Sequence, residues 1–160
     1  MLACLLTGAA VLAQTPEQRL AELGITLPET TPPVANYVKW RQVGNLLFLA
    51  GDGADVKGKV GSDLTIAEGY AAARETGIMM IGTLKQACGE LSRIRQFVKV
   101  HGMVNSATDF YDQPKVINGF SDLMVEVFGE KGKHARAAVG MASLPFNSAV
   151  EIELIVELED

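Results

Sequence analysis

The pattern of apolar and polar residues predicts a chain of alternating helices and strands. Apolar residues recur at helical spacing in one short and two long segments, at 15–24, 65–88 and 113–128. Shorter apolar runs bounded by turn residues indicate five strands, at 37–43, 45–50, 94–104 and twice within 132–158. The order α-β-β-α-β-α-β-β is that of an α+β domain in which two long helices cover a β-sheet.

Several of these strands are apolar on both faces. Residues 46–50 show no alternation, and the strand at 94–104 has Phe97 and Met103 on one side and apolar residues on the other side at Val98, Val100 and Val104. Two helices cover only one face of a sheet, so the second face needs a partner. The usual solution is a symmetric homo-oligomer, and we expect any site at that interface to hold little water.

The chain divides into three parts. Residues 1–13 are apolar and uncharged, and they end in Val11-Leu12-Ala13, a pattern that signal peptidases read, so we predict a signal segment there. The usual basic n-region is missing, and an ordinary N-terminal extension is the alternative. Residues 14–32 read as a helix and a Pro/Thr-rich linker, and 33–160 as the main domain. Cleavage after the segment predicts an exported or periplasmic protein; without cleavage we expect a cytoplasmic one.

Composition argues against several classes of function. The chain has 160 residues, a net charge of −5 and a pI of about 5.1, so we expect no nucleic-acid partner. Two cysteines cannot form a disulfide framework, and two histidines argue against a His-rich zinc site, so we predict no metal. The apolar N-terminal segment is too short to span a bilayer, and we expect no membrane partner.

Arg136 is the first candidate for chemistry. It lies among small apolar residues where a strand begins, and its permanently charged guanidinium needs water, a carboxylate or a ligand anion. If residues 143–148 join the last two strands antiparallel, Arg136 lies opposite Ile155 and on the same face as Glu151. A salt bridge to a glutamate of the last strand and a ligand site are both open interpretations.

Glu151 and His134 are the next candidates. Glutamates alternate with apolar residues along the last strand, which is typical of a solvated sheet face. Glu151 lies deepest in the predicted hairpin, where its carboxylate can hold a water molecule and act as a general base. His134, two residues before Arg136, is either structural or a proton shuttle.

These residues belong to a longer resemblance. The C-terminal signature of the YjgF/RidA family resembles His134-Ala135-Arg136-Ala137-Ala138-Val139-Gly140, Leu144-Pro145 and Val150-Glu151-Ile152-Glu153. The family's longer branch, the YjgF/chorismate-mutase-like putative endoribonucleases, is similar at Leu23-Gly24-Ile25, Pro33-Val34-Ala35-Asn36-Tyr37 and Gly132-Lys133-His134-Ala135-Arg136. The resemblance covers about residues 17–158.

The resemblance implies a fold, an assembly and a site. The implied fold is a chorismate-mutase-like mixed β-sheet with two long helices on one face, assembled as a homotrimer with ligand sites in the clefts between subunits. Arg136 matches the arginine that binds the carboxylate of a 2-imino acid, and Glu151 matches the glutamate that positions the attacking water. Further ligand contacts are implied for Tyr37, Gly51, Asn118 and His134. Neither a metal nor an organic cofactor is implied.

Three functions remain open from the sequence. The first is an imine/enamine deaminase, which hydrolyses 2-imino acids to 2-oxo acids and ammonia. The second is a non-catalytic trimeric binding module for small carboxylates such as 2-oxo acids, favoured by Ala50 and Ala138 at positions where the family commonly has polar residues. The third, an endoribonuclease, agrees least with an acidic chain.

Overall fold

The structure, a computed structural model, describes residues 14–159. The predicted signal segment, 1–13, lies outside the described residues. The predicted order of elements is confirmed as α1 (Pro16–Glu22), β1 (Trp40–Val43), β2 (Leu46–Asp52), α2 (Ile66–Cys88), β3 (Ile94–Asn105), α3 (Gln113–Phe128), β4 (Ala135–Met141) and β5 (Val150–Leu158). Short 3-10 turns follow α2 and α3 and precede β5, at Leu91–Arg93, Gly129–Gly132 and Pro145–Asn147.

Capping residues explain where the helices begin and end. The hydroxyls of Thr15 and Thr65 each accept a hydrogen bond from the backbone of the third residue of the following helix. The side chains of Gln18 and Glu68 return the bond, which completes a capping box at both helix starts. Gly89 ends α2 with a φ of 80°, a conformation that other residues adopt only with strain.

The five strands form one mixed sheet in the order β1-β2-β5-β3-β4. The pairs β1–β2, β2–β5 and β5–β3 are antiparallel, and β3–β4 is parallel. Helix α3 lies between β3 and β4 in the chain, which supplies the crossover that a parallel pair requires.

Both long helices pack on one face of this sheet, as predicted. The core lies between these helices and the sheet, and its side chains are almost fully buried. The helices contribute Ile81, Phe120 and Leu123, and the sheet contributes Val100, Ile152 and Leu154. A Cβ atom at Gly119 would overlap the backbone carbonyl of Tyr70, so α3 approaches α2 with backbone against backbone. Helix α1 joins the same core through Leu20.

The predicted hairpin between the last two strands is wrong. Strand β5 inserts between β2 and β3, and β4 pairs with β3 at the sheet edge. Arg136 therefore lies opposite Val100 and not Ile155. The physical reason is that β5 buries every second residue and stabilises the centre of the sheet, whereas β4 carries small and half-exposed residues that suit an edge.

The second face of the sheet carries no helix among residues 14–159. Phe48 and Val139 project from this open face with 39% and 37% of their surface exposed, and Ile155 lies beside Phe48. We refer to this surface as the open face. Strand β3 is apolar on both sides as predicted, with Met103 toward the open face and Val100 and Val104 toward the helices. The predicted side of Phe97 is wrong, because a bulge between Phe97 and Lys99 turns Phe97 to the helix side.

Candidate active site

Arg136 lies on β4 and reaches across to α3. Its Nη1 donates to the Oδ1 of Asn118 and to the Oγ of Ser121, both at 2.9 Å. Its Nη2 donates to the carbonyl of Pro114 at 3.5 Å. Asn118 and Ser121 are three residues apart on α3, so they occupy the same side of the helix.

No carboxylate of the described residues pairs with this guanidinium. Among residues 14–159, no salt bridge includes Arg136, so the internal ion pair that the sequence left open does not form in this part of the chain. The Nε–H and one N–H of Nη2 have no partner among the described residues. These two donors suffice to bind a carboxylate in the fork geometry that arginine favours.

His134 stands behind Arg136 rather than beside it. Its Nδ1 lies 2.7 Å from the carbonyl of Gly132, and its Nε2 lies 3.0 Å from the Oγ of Ser121. Phe97 and Phe120 flank the imidazole, with ring centroids 6.5 and 6.1 Å away. Burial lowers the pKa of His134 and the charge of Arg136 lowers it further, whereas the bond to Gly132 acts in the opposite direction.

A second group of predicted residues meets at the other side of the molecule. Tyr37, Gly51 and Glu151 line one cleft of about 610 Å³. A Cβ atom at Gly51 would overlap the Oε1 of Glu151, so the glutamate lies directly over the glycine backbone. Glycine at this position therefore allows the carboxylate to lie against β2.

Glu151 is prepared to exchange a proton. Burial raises the pKa of its carboxyl, and the neighbouring charges of Glu153 and Asp52 raise it further. No hydrogen bond or ion pair engages its side chain in the described part of the chain, so both oxygens are available to a water molecule or a ligand. A carboxylate with a raised pKa is suited to act as a general base near neutral pH.

The two groups lie on opposite faces of the sheet. Arg136 is in register with Val100 and, one strand further, with Leu154, both of which face the helices. Glu151 is in register with Met103 and Val139, which belong to the open face. The sequence-based expectation that Arg136 and Glu151 share a face is therefore wrong, because it rested on the hairpin that does not form. Strand β3 lies between the strands of these two residues, so β4 and β5 are about 10 Å apart within the sheet.

Comparison with known proteins places the chain in a family. The family model described as "YjgF/chorismate mutase-like, putative endoribonuclease" matches residues 17–158. The chain belongs to the YjgF/RidA family. This agrees with the resemblance that the sequence around Arg136 and Glu151 indicated.

Individual relatives cover nearly the whole domain. Protein TCP17 of Trypanosoma cruzi is 42% identical over 148 residues, which are 88% of this chain and 92% of that protein. The 2-iminobutanoate/2-iminopropanoate deaminase of Dermatophagoides farinae is 30% identical over 137 residues, or 84% and 95% of the two chains. The crystal structure of a "putative endoribonuclease" from Shewanella oneidensis MR-1 is 39% identical with a TM-score of 0.88, and it covers 91% and 100%. The predicted YjgF/RidA fold is thus confirmed.

Three polar residues of this YjgF/RidA chain lie near the two groups without having been predicted from the sequence. Ser121 contacts both Arg136 and His134, and its spacing of three residues from Asn118 on a helix was the available signal. Lys39 and Asp52 form a largely buried ion pair of 3.0 Å at the cleft of Glu151. No pattern in the sequence predicted that pair, since it joins two strand ends.

Metal-binding clusters and membrane-spanning helices are both absent from residues 14–159. No group of three or more His, Cys, Asp or Glu side chains there is arranged to hold a metal ion. None of the helices in that range combines the length and the apolar character that crossing a membrane requires.

Proposed function

We propose that this protein hydrolyses 2-imino acids, or the enamines in equilibrium with them, to 2-oxo acids and ammonia. The observation that carries the proposal concerns two side chains: within residues 14–159, Arg136 has no carboxylate partner and the Glu151 carboxylate has no hydrogen-bond partner. The named activity of the Dermatophagoides farinae relative, a 2-iminobutanoate/2-iminopropanoate deaminase, supports this choice of reaction.

The proposed active unit is a homotrimer with one site in each cleft between subunits. The positions of Arg136 and Glu151 on opposite faces support this assembly, because one chain cannot bring them together. Each site then combines the Arg136 group of one subunit with the Glu151 group of the next. The open face, with its exposed Phe48 and Val139, is the surface that the neighbouring subunits would cover.

Substrate binding in the proposed site begins with the carboxylate. Arg136 holds it through two N–H donors, and Asn118 and Ser121 keep the opposite edge of the guanidinium occupied. Tyr37 and the backbone of Gly51 line the side of the cleft that holds Glu151. The substrate carbon is thus oriented toward the general base before the reaction starts.

Glu151 then activates a water molecule. It accepts a proton as the water oxygen bonds to the C2 atom of the imine, which gives a tetrahedral carbinolamine. The π electrons of the C2–N double bond pass to the nitrogen, which receives the proton held by Glu151. Glu151 then takes the hydroxyl proton and transfers it to the nitrogen, so the C2–N bond breaks and ammonia leaves as the C2–O bond becomes the carbonyl of the 2-oxo acid. One imine and one water give one 2-oxo acid and one ammonia, with no electron transfer.

A non-catalytic binding module is the second candidate function. Ala138 lies two residues beyond Arg136 on β4 and packs against the core, so a methyl group stands where the family commonly has a polar side chain. Ala50 likewise precedes Gly51. A site that keeps Arg136 to bind the carboxylate but lacks these polar groups would bind 2-oxo acids without turnover. An endoribonuclease is the third candidate and the least supported, because a net charge of −5 opposes the binding of RNA phosphates.

Ammonia release from freshly generated 2-iminopropanoate tests the proposal. We expect the wild type to exceed the uncatalysed rate, and Arg136→Ala and Glu151→Gln to lose most of that excess. No excess by the wild type would overturn the deaminase. Arg136-dependent binding of pyruvate in that case would favour the binding module. Turnover that survives Arg136→Ala would contradict the role of Arg136 in binding the substrate carboxylate.

A further inference from the structure

A continuous series of hydrogen bonds runs from Arg136 to the backbone of Gly132 through Ser121 and His134. The carbonyl of Gly132 can only accept, so the imidazole Nδ1, at 2.7 Å, must carry the hydrogen. Burial, with the nearby charge of Arg136, keeps the pKa of His134 below its ordinary value, so the ring is neutral at pH 7 and its Nε2 is an acceptor.

The direction of the remaining bonds follows. Ser121 donates its hydroxyl hydrogen to Nε2 at 3.0 Å, which leaves the lone pairs of Oγ for the Nη1–H of Arg136 at 2.9 Å. Each group in the series donates to the next, from arginine to serine to histidine to carbonyl. A serine that donates to another group becomes a better acceptor for the guanidinium, since hydrogen bonds in a series polarise one another.

Among residues 14–159, Arg136 is the charged group that acts on His134. Arg136 of β4 is the cation, α3 contributes Ser121 and Phe120, and β3 contributes Phe97. Lys133, the preceding residue, forms an ion pair with Glu130 at 2.7 Å. Both ring nitrogens are engaged inside the chain, so His134 is not free to exchange protons with a ligand.

The guanidinium of an arginine is otherwise mobile, and a fork-shaped contact needs it fixed. Arginine loses side-chain entropy when it binds, and a bond that holds it beforehand reduces that loss. Asn118 holds one hydrogen of Nη1, and Ser121 holds the other. The two contacts define the plane of the guanidinium, which turns its opposite edge outward.

We propose that Ser121 and His134 are positioning residues that fix the Arg136 guanidinium for a ligand carboxylate. The inference rests on the proposed function for its ligand, and it assigns to the two residues a role without contact to the substrate. His134 acts on Ser121 through the hydrogen bond at Nε2, and Ser121 acts on Arg136. The pair thereby determines how tightly small 2-oxo and 2-imino acids bind.

Binding of pyruvate, measured by calorimetry, tests the proposal without requiring turnover. Ser121→Ala should weaken binding about tenfold or more, the effect expected for one hydrogen bond to a charged group. Ser121→Thr keeps the hydroxyl and should restore most of the affinity. In an Arg136→Ala background, Ser121→Ala should cause no further loss. Equal affinity of wild type and Ser121→Ala, or an equal loss in both backgrounds, would overturn the positioning role.

A measurement without ligand separates this inference from the proposed function. Nitrogen-15 NMR of the free protein reports the tautomer of His134 and the rotation of the Arg136 guanidinium about its Nε–Cζ bond. We expect the Nδ1–H tautomer and slow rotation in the wild type, with faster rotation in Ser121→Ala and in His134→Phe. Unchanged rotation would overturn the inference even if pyruvate binds. Failure of the wild type to bind pyruvate, with rotation as expected, would count against the proposed function alone.

Discussion

Burial and the charges of Glu153 and Asp52 raise the pKa of the Glu151 carboxyl above its ordinary value of 4.5. A carboxyl with a raised folded-state pKa favours folding in its protonated form, and that contribution is lost as the pH rises through the folded-state pKa. At neutral pH, the ionised Glu151 therefore opposes the stability of the fold. The same property makes it a stronger base for a bound water molecule.

Glu151→Gln should separate these two effects. We expect a higher free energy of unfolding than wild type at pH 7, with the difference vanishing below pH 4.5, where both states hold the proton. Turnover should fall by about 100- to 10,000-fold, the usual contribution of a general base. Urea unfolding across this pH range, at a fixed protomer concentration, measures the first effect. A variant less stable than wild type at pH 7 would contradict this account of Glu151.

Gly51→Ala should displace the carboxylate without unfolding the protein. The added Cβ meets the end of the Glu151 side chain, which can rotate away, so we expect the free energy of unfolding to change by less than about 1 kcal/mol. Turnover should fall by about 100-fold, because a displacement of an ångström is enough to misplace a catalytic group.

Gly53→Ala is the matched control for Gly51→Ala. Its Cβ would meet the backbone carbonyl of Val150, which cannot rotate away, so the loss there should appear in stability. Normal turnover by Gly51→Ala would show that the position of Glu151 over β2 is not needed for the reaction.

At the scale of the elements, α2 and α3 approach each other at Gly119. A methyl group there would overlap the carbonyl of Tyr70, and neither helix backbone can yield easily. Gly119→Ala should therefore cost about 1–3 kcal/mol of unfolding free energy, despite the better helix propensity of alanine. Gly82→Ala on α2 is the control, since its Cβ would stand 3.1 Å from a carbonyl of the linker, and we expect a smaller change. Equal effects on thermal unfolding would contradict the close crossing.

The sequence predicted individual elements better than their pairing. Capping signals at Thr65 and a glycine after Cys88 determine where α2 begins and ends, and such signals act within one turn of the chain. The neighbours of β4 and β5 depend on which strand buries more apolar surface at the centre of the sheet. That competition involves residues far apart in sequence, and adjacency in the chain gave the wrong partner.

The same limit applies to the site. Residue type and spacing pointed to Arg136 and Glu151, and the structure gathers Asn118 and His134 near the former and Tyr37 and Gly51 near the latter. The sheet register determines which face each group occupies. The sequence did not predict that register, so it could not predict the faces. Ser121 was not predicted, although its spacing of three residues from Asn118 on α3 was an available signal.

At the scale of the whole molecule, the open face should hold the subunits together. Phe48→Glu replaces an exposed apolar side chain beside Ile155 with a charge, so we expect dissociation to monomers and loss of turnover while the fold persists. Val125→Glu is a matched control, because Val125 on α3 is also 39% exposed but lies on the helix layer. Light scattering after size-exclusion chromatography measures both. A Phe48→Glu variant that stays trimeric would exclude this part of the open face from the interface.

Subunit mixing tests most directly the central claim that Arg136 and Glu151 act together across a subunit boundary. Arg136→Ala and Glu151→Gln chains, each inactive alone, are refolded together, and ammonia release from 2-iminopropanoate is measured on the mixed trimers. Random assortment predicts about one quarter of wild-type activity, because each site takes one group from each of two subunits. Mixing either variant with the double variant should restore nothing. Mixed trimers without recovered activity, their composition verified by mass spectrometry, would contradict the shared site.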